Sequence, residues 1–156
     1  MKITHANTDK EIAACFPVMQ QLRTHLDLTV FLASVERMKA EGYRLVFLAD
    51  PDVRAVAGYR KMEMLATGTV LYVDDLVTNA THRSRGYGKL LLAWLLDEAK
   101  KQQCQYLELD SGLKRLAAHR FYEQNGLEKV AFHFSIPAQA SAAWSAVQQI
   151  GGGGGK

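Results

Sequence analysis

The sequence predicts an α/β fold with a mixed central sheet, its elements running β-α-α-β-β-β-α-β-α-β between residue 2 and about residue 136. Three observations carry this. Three apolar, β-branched runs between residues 44 and 78 are separated by tight turn chemistry, the mark of an antiparallel meander. Two stretches before them and two after them carry apolar residues at helical spacing. The last run of the meander feeds a short glycine loop that opens directly into a leucine-rich helix, a connection typical of α/β folds.

Residues 2–6 read as a short strand. Thr8 is a suitable N-cap for a helix with Asp9 and Glu11 in its first turn, and Ile12, Cys15, Phe16, Met19 and Leu22 recur at helical spacing. His25-Leu26-Asp27 interrupts that pattern, and a second helix runs from about Leu28 to Ala40, where Gly42 stops it. Arg44 to Ala49 is a nearly all-apolar strand, suited to burial on both faces. Asp50-Pro51-Asp52 turns the chain into a strand from Ala55 to Leu65, and Ala66-Thr67-Gly68 turns it again into Val70 to Thr78. From Tyr87 to about Lys101, Leu91, Leu92, Leu95, Leu96 and Ala99 form one helical stripe. Gln105 to Asp110 is a strand, Lys114 to Gln124 a helix closed by Asn125-Gly126, and Leu127 to Ile136 a last strand ending at Pro137. Residues 138–156 differ in kind: Ala, Ser and Gln lead to five glycines and a lysine. They read as a flexible or appended tail after a domain of residues 1–137, with a helix over Ser141–Gln148 the alternative.

At 156 residues the chain suits one domain with a single core. A net charge of +3 without a sustained basic run is too mild for nucleic acid. No stretch approaches 18 uncharged apolar residues, and the N-terminus lacks the layout of a signal peptide, so neither a membrane nor export is expected. Cys15 and Cys104 read as reduced thiols, and no Cys-x-x-Cys or His-x-x-x-His spacing suggests a metal. A cytoplasmic protein is the expectation.

The chemistry concentrates between Thr69 and Tyr122. The loop Arg83-Ser84-Arg85-Gly86-Tyr87-Gly88-Lys89 places unpaired backbone N–H groups at a helix N-terminus, where the helix dipole favours an anion. Gly86 and Gly88 let the backbone approach a pyrophosphate, and Arg83, Arg85 and Lys89 repel one another unless an anion sits among them. A helix start that merely needs flexible backbone is the plainer reading. A dinucleotide fingerprint requires a third glycine where Leu91 stands, and the Gly-x-x-x-x-Gly-Lys-Ser spacing is absent.

Arg83-x-x-Gly86-x-Gly88 after an apolar strand resembles the acyl-CoA signature of the GCN5-related N-acetyltransferase (GNAT) family. Ala118-His119-Arg120-Phe121-Tyr122, with Gly126 four residues on, resembles the family's later Ala-x-x-Phe-Tyr-x-x-x-Gly-Phe motif. The order of elements agrees over nearly the whole chain. The resemblance implies the GNAT acyl-CoA N-acyltransferase fold and an enzyme that moves the acetyl group of acetyl-CoA directly to a primary amine. It implies that loop residues Arg83 to Lys89 cradle the coenzyme A pyrophosphate, with His119 beside the cofactor. Leu76, Val77 and Thr78 would bond the pantetheine like an added strand, and Tyr122 would protonate the departing thiolate. Three positions depart from the pattern: Thr78 for valine, Arg115 for asparagine, and Leu127 for the phenylalanine after the glycine.

An alkylammonium has no lone pair near neutral pH, so the reaction needs a base, for which Asp74 and Asp75 are available. Strict alternation puts them on opposite faces, Asp74 with Tyr72, Leu76 and Thr78. Asp74 is preferred, because the family often carries an acid there; Tyr72 stands where histone-type members place a glutamate. The loop bearing Arg23, His25 and Asp27, and the strand bearing His133, would line the acceptor pocket. The run from Arg115 to Tyr122 with the later His133-Phe134 resembles small-molecule enzymes such as aminoalkylphosphonate acetyltransferases, which points to a small polar amine. A protein lysine or N-terminus as acceptor, and a non-catalytic acyl-CoA-binding module, are the alternatives; a homodimer is compatible with all of them.

Overall fold

The computed structural model describes residues 1–139. Its elements are β1 (Lys2–His5), α1 (Asp9–Met19), α2 (Leu28–Ala40), β2 (Arg44–Ala49), β3 (Val53–Met64), β4 (Gly68–Thr78), α3 (Tyr87–Lys101), β5 (Tyr106–Glu108) and α4 (Leu116–Gln124). The sheet order is β1-β2-β3-β4-β5, antiparallel from β1 to β4, with β5 parallel to β4. This is the mixed α/β fold that the pattern predicts, and α2, β2 and α3 fall on the expected residues. The chain divides into two compact units, Met1–His119 and Arg120 onward.

Within the first unit, two cores sandwich the sheet. Ile12, Cys15, Val18 and Met19 of α1 and Phe31 and Val35 of α2 pack on one face with Tyr43, Leu45, Val56 and Val77. Leu91, Leu95 and Ala99 of α3 pack on the other with Val46, Leu48, Ala55, Ala57, Leu71 and Val73. The Thr8 hydroxyl accepts from the Glu11 amide while the Glu11 carboxylate accepts from the Thr8 amide, so α1 begins with a complete capping box. Asp27 caps α2 by accepting from the Val30 amide at 2.8 Å. Burial pushes the Cys15 thiol up to about 12, so it stays protonated and inert, as the reduced-thiol reading expects.

The second unit begins within α4. The amide of Leu127 donates to the Tyr122 carbonyl at 3.0 Å and that of Gly126 to Glu123 at 3.1 Å, with Gly126 at φ 87°. This is a Schellman closure, and the positive φ explains why glycine ends the helix. The expected strand from Leu127 to Ile136 is not formed. Alternating Val130, Phe132, Phe134 and Ile136 satisfy a strand's period, but a period supplies no ladder partner, and a strand exists only where its backbone groups are paired. The alternative helix over Ser141–Gln148 lies outside the described residues.

Leu91 is fully buried under the sheet on the helix that carries the glycine loop. Leu91→Ala is expected to lower unfolding stability by about 2–5 kcal/mol, measured by chemical denaturation.

Candidate active site

The bulge in β4. Along the β3–β4 ladder, Gly58 faces Asp75 and Tyr59 faces Val73, so Asp74 is an extra residue on β4. One inserted residue shifts side-chain parity. Leu71 and Val73 face α3, whereas Val77 beyond the bulge faces α1 and α2. The expectation that Asp74 and Asp75 point to opposite faces is therefore overturned: strict alternation fails at this pair. Asp74 pairs with Arg60 and Asp75 bonds Tyr43, both on the α1/α2 side. Leu76 packs on the α3 side instead of sharing a face with Asp74.

Three side chains outside β4 hold the two acids. The Arg60 guanidinium donates to Asp74 through Nε at 3.1 and 3.0 Å and through a terminal nitrogen at 2.5 Å. Arg23, in the loop after α1, donates through Nε to Asp75 Oδ1 at 2.7 Å and through a terminal nitrogen to the Asp74 carbonyl at 2.9 Å. The Tyr43 hydroxyl donates to Asp75 Oδ2 at 2.9 Å. The Tyr72 hydroxyl donates to Asp110. Burial raises the Asp74 carboxyl above its ordinary value, the two arginines only partly opposing it and Asp75 adding to it. Burial and the bond to Asp110 push the Tyr72 phenol well above the usual range, so it remains neutral.

Arg23 lies in the loop expected to line the acceptor pocket, and the structure assigns it a definite partner. Arg60 and Tyr43 were not singled out in the sequence. Their roles depend on the β3–β4 register and on the approach of Tyr43 to β3, neither of which has a local sequence signal. The one available hint was two adjacent acids inside an apolar strand, which a plain pleat does not accommodate. His25 is exposed in the same loop.

The open edge and the glycine loop. The β4–β5 ladder covers only Val70, Leu71 and Tyr72. Among the described residues, no strand follows the β5-facing edge of β4 past Tyr72, while Leu76, Val77 and Thr78 remain paired to Ala57, Val56 and Ala55 on the other side. That edge presents peptide donors and acceptors of the kind an extended ligand satisfies. Directly after β4, the Asn79 amide donates to the Arg54 carbonyl at 2.8 Å and Gln21 accepts from the Ala80 amide at 2.8 Å, tying the turn to β3 and to the end of α1.

Gly86 then starts α3 in the left-handed region at φ 85°, with no side chain capping the helix. The first-turn N–H groups of α3 are thus left for a ligand or solvent. Arg83, Ser84, Arg85 and Lys89 are exposed, and among the described residues the three cations form no ion pair. His82 beside them is held below the usual histidine value by desolvation and by Arg54 and Arg85. Tyr87 is buried and donates to Asp50 at 2.9 Å, so its side chain anchors the loop to the end of β2. Of Tyr87, only the backbone faces the helix opening.

His119 lies with a ring nitrogen 2.8 Å from the Gly112 carbonyl. Tyr122 belongs to the second unit, its ring edge-on to Phe121 at 5.5 Å. Among the described residues, no group of three or more His, Cys, Asp or Glu side chains is arranged for a metal, and no helix is long and apolar enough to cross a membrane. A separate cleft of about 520 Å³, lined by His5, Arg44, Tyr59 and Glu98 among others, opens toward the C-terminal end of α3 and shares none of these residues.

Residues 9–127 match the family model described as the acetyltransferase (GNAT) family. The chain is 40% identical over 115 residues to an uncharacterised N-acetyltransferase, YhdJ, of Bacillus subtilis, covering 72% of this chain and 81% of the relative. It is 24% identical over 137 residues to aminoalkylphosphonate N-acetyltransferase of Salmonella typhimurium, covering 86% and 89%. Among solved structures, an aminoglycoside N-acetyltransferase, AAC(6')-Iy, in complex with CoA is similar with a TM-score of 0.77 at 15% identity, covering 89% of this chain and 95% of that one. A putative acetyltransferase from Agrobacterium tumefaciens is similar at 0.76 and 22%, covering 88% and 99%.

If Arg60 restrains the Asp74 carboxyl as its geometry indicates, Arg60→Met leaves burial and the neighbouring acid in command. Asp74 is then expected to titrate at a higher pH than in the parent, followed by carboxyl-carbon NMR.

Proposed function

Because the chain belongs to the acetyltransferase (GNAT) family and so is an acetyl-CoA-dependent N-acetyltransferase, we propose that it acetylates the primary amine of a small polar molecule by direct transfer. The observation that carries this is the bulge at Asp74, which sets two acids on one sheet face immediately before an unpaired strand edge. The edge at Leu76, Val77 and Thr78 suits the peptide-like pantetheine, and the amides and cations from Arg83 to Lys89 suit the pyrophosphate. His119 is placed with this cofactor-binding group by the family motif alone.

In this reading Asp74, directly or through a water it orders, takes the proton from the incoming alkylammonium. The amine nitrogen then bonds to the acetyl carbon while the carbon–sulfur bond breaks. Backbone N–H near Val77 stabilises the charge that develops on the carbonyl oxygen. Tyr122 gives its phenolic proton to the departing sulfur, which avoids releasing a free thiolate. Holding both partners together supplies much of the acceleration. A small amine is supported by the two adjacent carboxyl groups that the bulge sets on one sheet face, whose oxygens suit an ammonium donor. It is also supported by the likeness to the aminoalkylphosphonate enzyme. Residues 1–137 would form the catalytic domain.

The deciding assay is thiol release from acetyl-CoA across a panel of small amines, with a lysine peptide and a peptide N-terminus alongside. Small amines are expected to give the highest kcat/KM; binding of coenzyme A without turnover on any amine overturns the reading. Tyr122→Phe is expected to lower kcat about 10²-fold or more with little change in the KM for acetyl-CoA, and parental turnover removes it as the acid. Gly86→Val should raise the KM for acetyl-CoA, because a branched side chain resists φ 85°; an unaltered KM refutes the cradle. Because Asp74 acts as its carboxylate, kcat/KM for the amine should fall as pH drops through its raised pKa, giving an acidic limb above the ordinary aspartate range. A flat profile there excludes it.

A further inference from the structure

Tyr43 is 2% exposed, and it touches the bulge by two routes. Its hydroxyl donates to Asp75 Oδ2 at 2.9 Å. Its ring lies under the Arg60 guanidinium, 5.6 Å from carbon to centroid, and Arg60 grips Asp74 through two nitrogens. The phenol reaches this position because residue 58 is glycine: a Cβ there would overlap the Tyr43 hydroxyl and the ring carbons beside it. Gly58 is also the residue that faces Asp75 across the ladder. One buried ring therefore sets both acids, and a missing side chain on β3 makes room for it.

We propose that Tyr43 is a positioning residue of the acetyl transfer: its hydroxyl fixes the Asp75 carboxylate, and its ring seats the arginine that clamps Asp74. This rests on the reading of Asp74 as the base and adds a residue that touches neither substrate. The groups that face the acid pair are Arg23 from the loop after α1, Arg60 from β3 and Tyr72 from β4, with Asp110 after β5 bonded to Tyr72 and Glu41 at the end of α2 acting on Arg60. None of them bonds the free side of Asp75 that Tyr43 occupies; Arg23 holds the other oxygen. Tyr43 burial and the negative charge of Asp75 hold its phenol well above the usual range, so it stays a donor at every working pH.

The test compares Tyr43→Phe, Gly58→Ala and Asp75→Asn with the parent in the full chain, using the best amine from the panel. Tyr43→Phe keeps the ring and the packing and removes one hydrogen bond to a charged group. It is expected to lower kcat about tenfold while the KM for acetyl-CoA stays within about twofold. The loss should vanish when the change is made in an Asp75→Asn background, because the hydroxyl acts through that carboxylate. Gly58→Ala displaces the phenol by a different route and should give the same split between kcat and KM. Parental kcat in Tyr43→Phe overturns the proposal, and so does an equal loss in both backgrounds, which would mark a packing role. Asp74→Asn separates this from the reading beneath it. Parental turnover in Asp74→Asn refutes the base and the proposal together. An inactive Asp74→Asn beside an unaffected Tyr43→Phe refutes only the positioning role.

Discussion

One extra residue in β4 organises the acid-bearing half of the first unit. A bulge bends its strand, strengthens the local twist and disturbs the neighbouring ladder. Here the β4–β5 pairing stops at Tyr72, two residues before the bulge, and the strand edge beyond it is unpaired among the described residues. The same insertion inverts side-chain parity, so that Asp74 and Asp75 both meet partners on the α1/α2 side while Val77 joins the α1/α2 core. An open backbone edge and an acid pair beside it thus have one cause. Without the bulge, one carboxylate would share the face of Leu71 and Val73 and enter the apolar layer under α3.

Much of the frame was legible in the sequence because it follows from local rules. Thr8 with Glu11 announces a capping box and Gly126 an αL stop, each where expected, and the stripe from Leu91 to Ala99 is buried at Leu91, Leu92, Leu95 and Ala99, whereas Leu96, one position past Leu95, turns to solvent. The glycine loop was legible for the same reason, since Gly86 marks a positive φ at a helix start. What could not be read was whatever depends on pairing between distant segments. The alternation argument for Asp74 and Asp75 assumed an unbroken pleat, and a bulge is set by the register of β3 against β4. The strand expected over residues 127–136 failed likewise: period 2 tells which residues face alike, but hydrogen-bonded neighbours decide whether a strand exists.

The arginines illustrate a similar limit. Arg23 and Arg60 are 37 positions apart and lie on a loop and a strand, yet they neutralise adjacent aspartates. Nothing in their own sequence neighbourhoods distinguishes them from surface arginines. The Gly58–Tyr43 contact is of the same type. A glycine inside an apolar strand signals close approach, but the approaching group is named only by the fold.

Charge pairs on a sheet face are a poor means of stabilising a protein, because the cost of removing two ions from water offsets most of their attraction. The pairs at this bulge carry that cost in plain form: burial is the largest influence on Asp74, whose carboxyl stays above its ordinary value despite the lowering by Arg60 and Arg23. An apolar residue at position 74 would serve packing as well, so stability alone gives no reason for the clamp. Direction does. A carboxylate gripped through both oxygens by a planar fork has little freedom left, and each neighbouring donor narrows it further. Burial also keeps the carboxyl closer to neutrality than an exposed aspartate, which makes it a better proton acceptor at the pH where it is ionised. The arrangement therefore exchanges stability for a fixed acid held above the ordinary aspartate range beside an open strand edge, the combination that the proposed deprotonation of an amine next to an extended thioester would use.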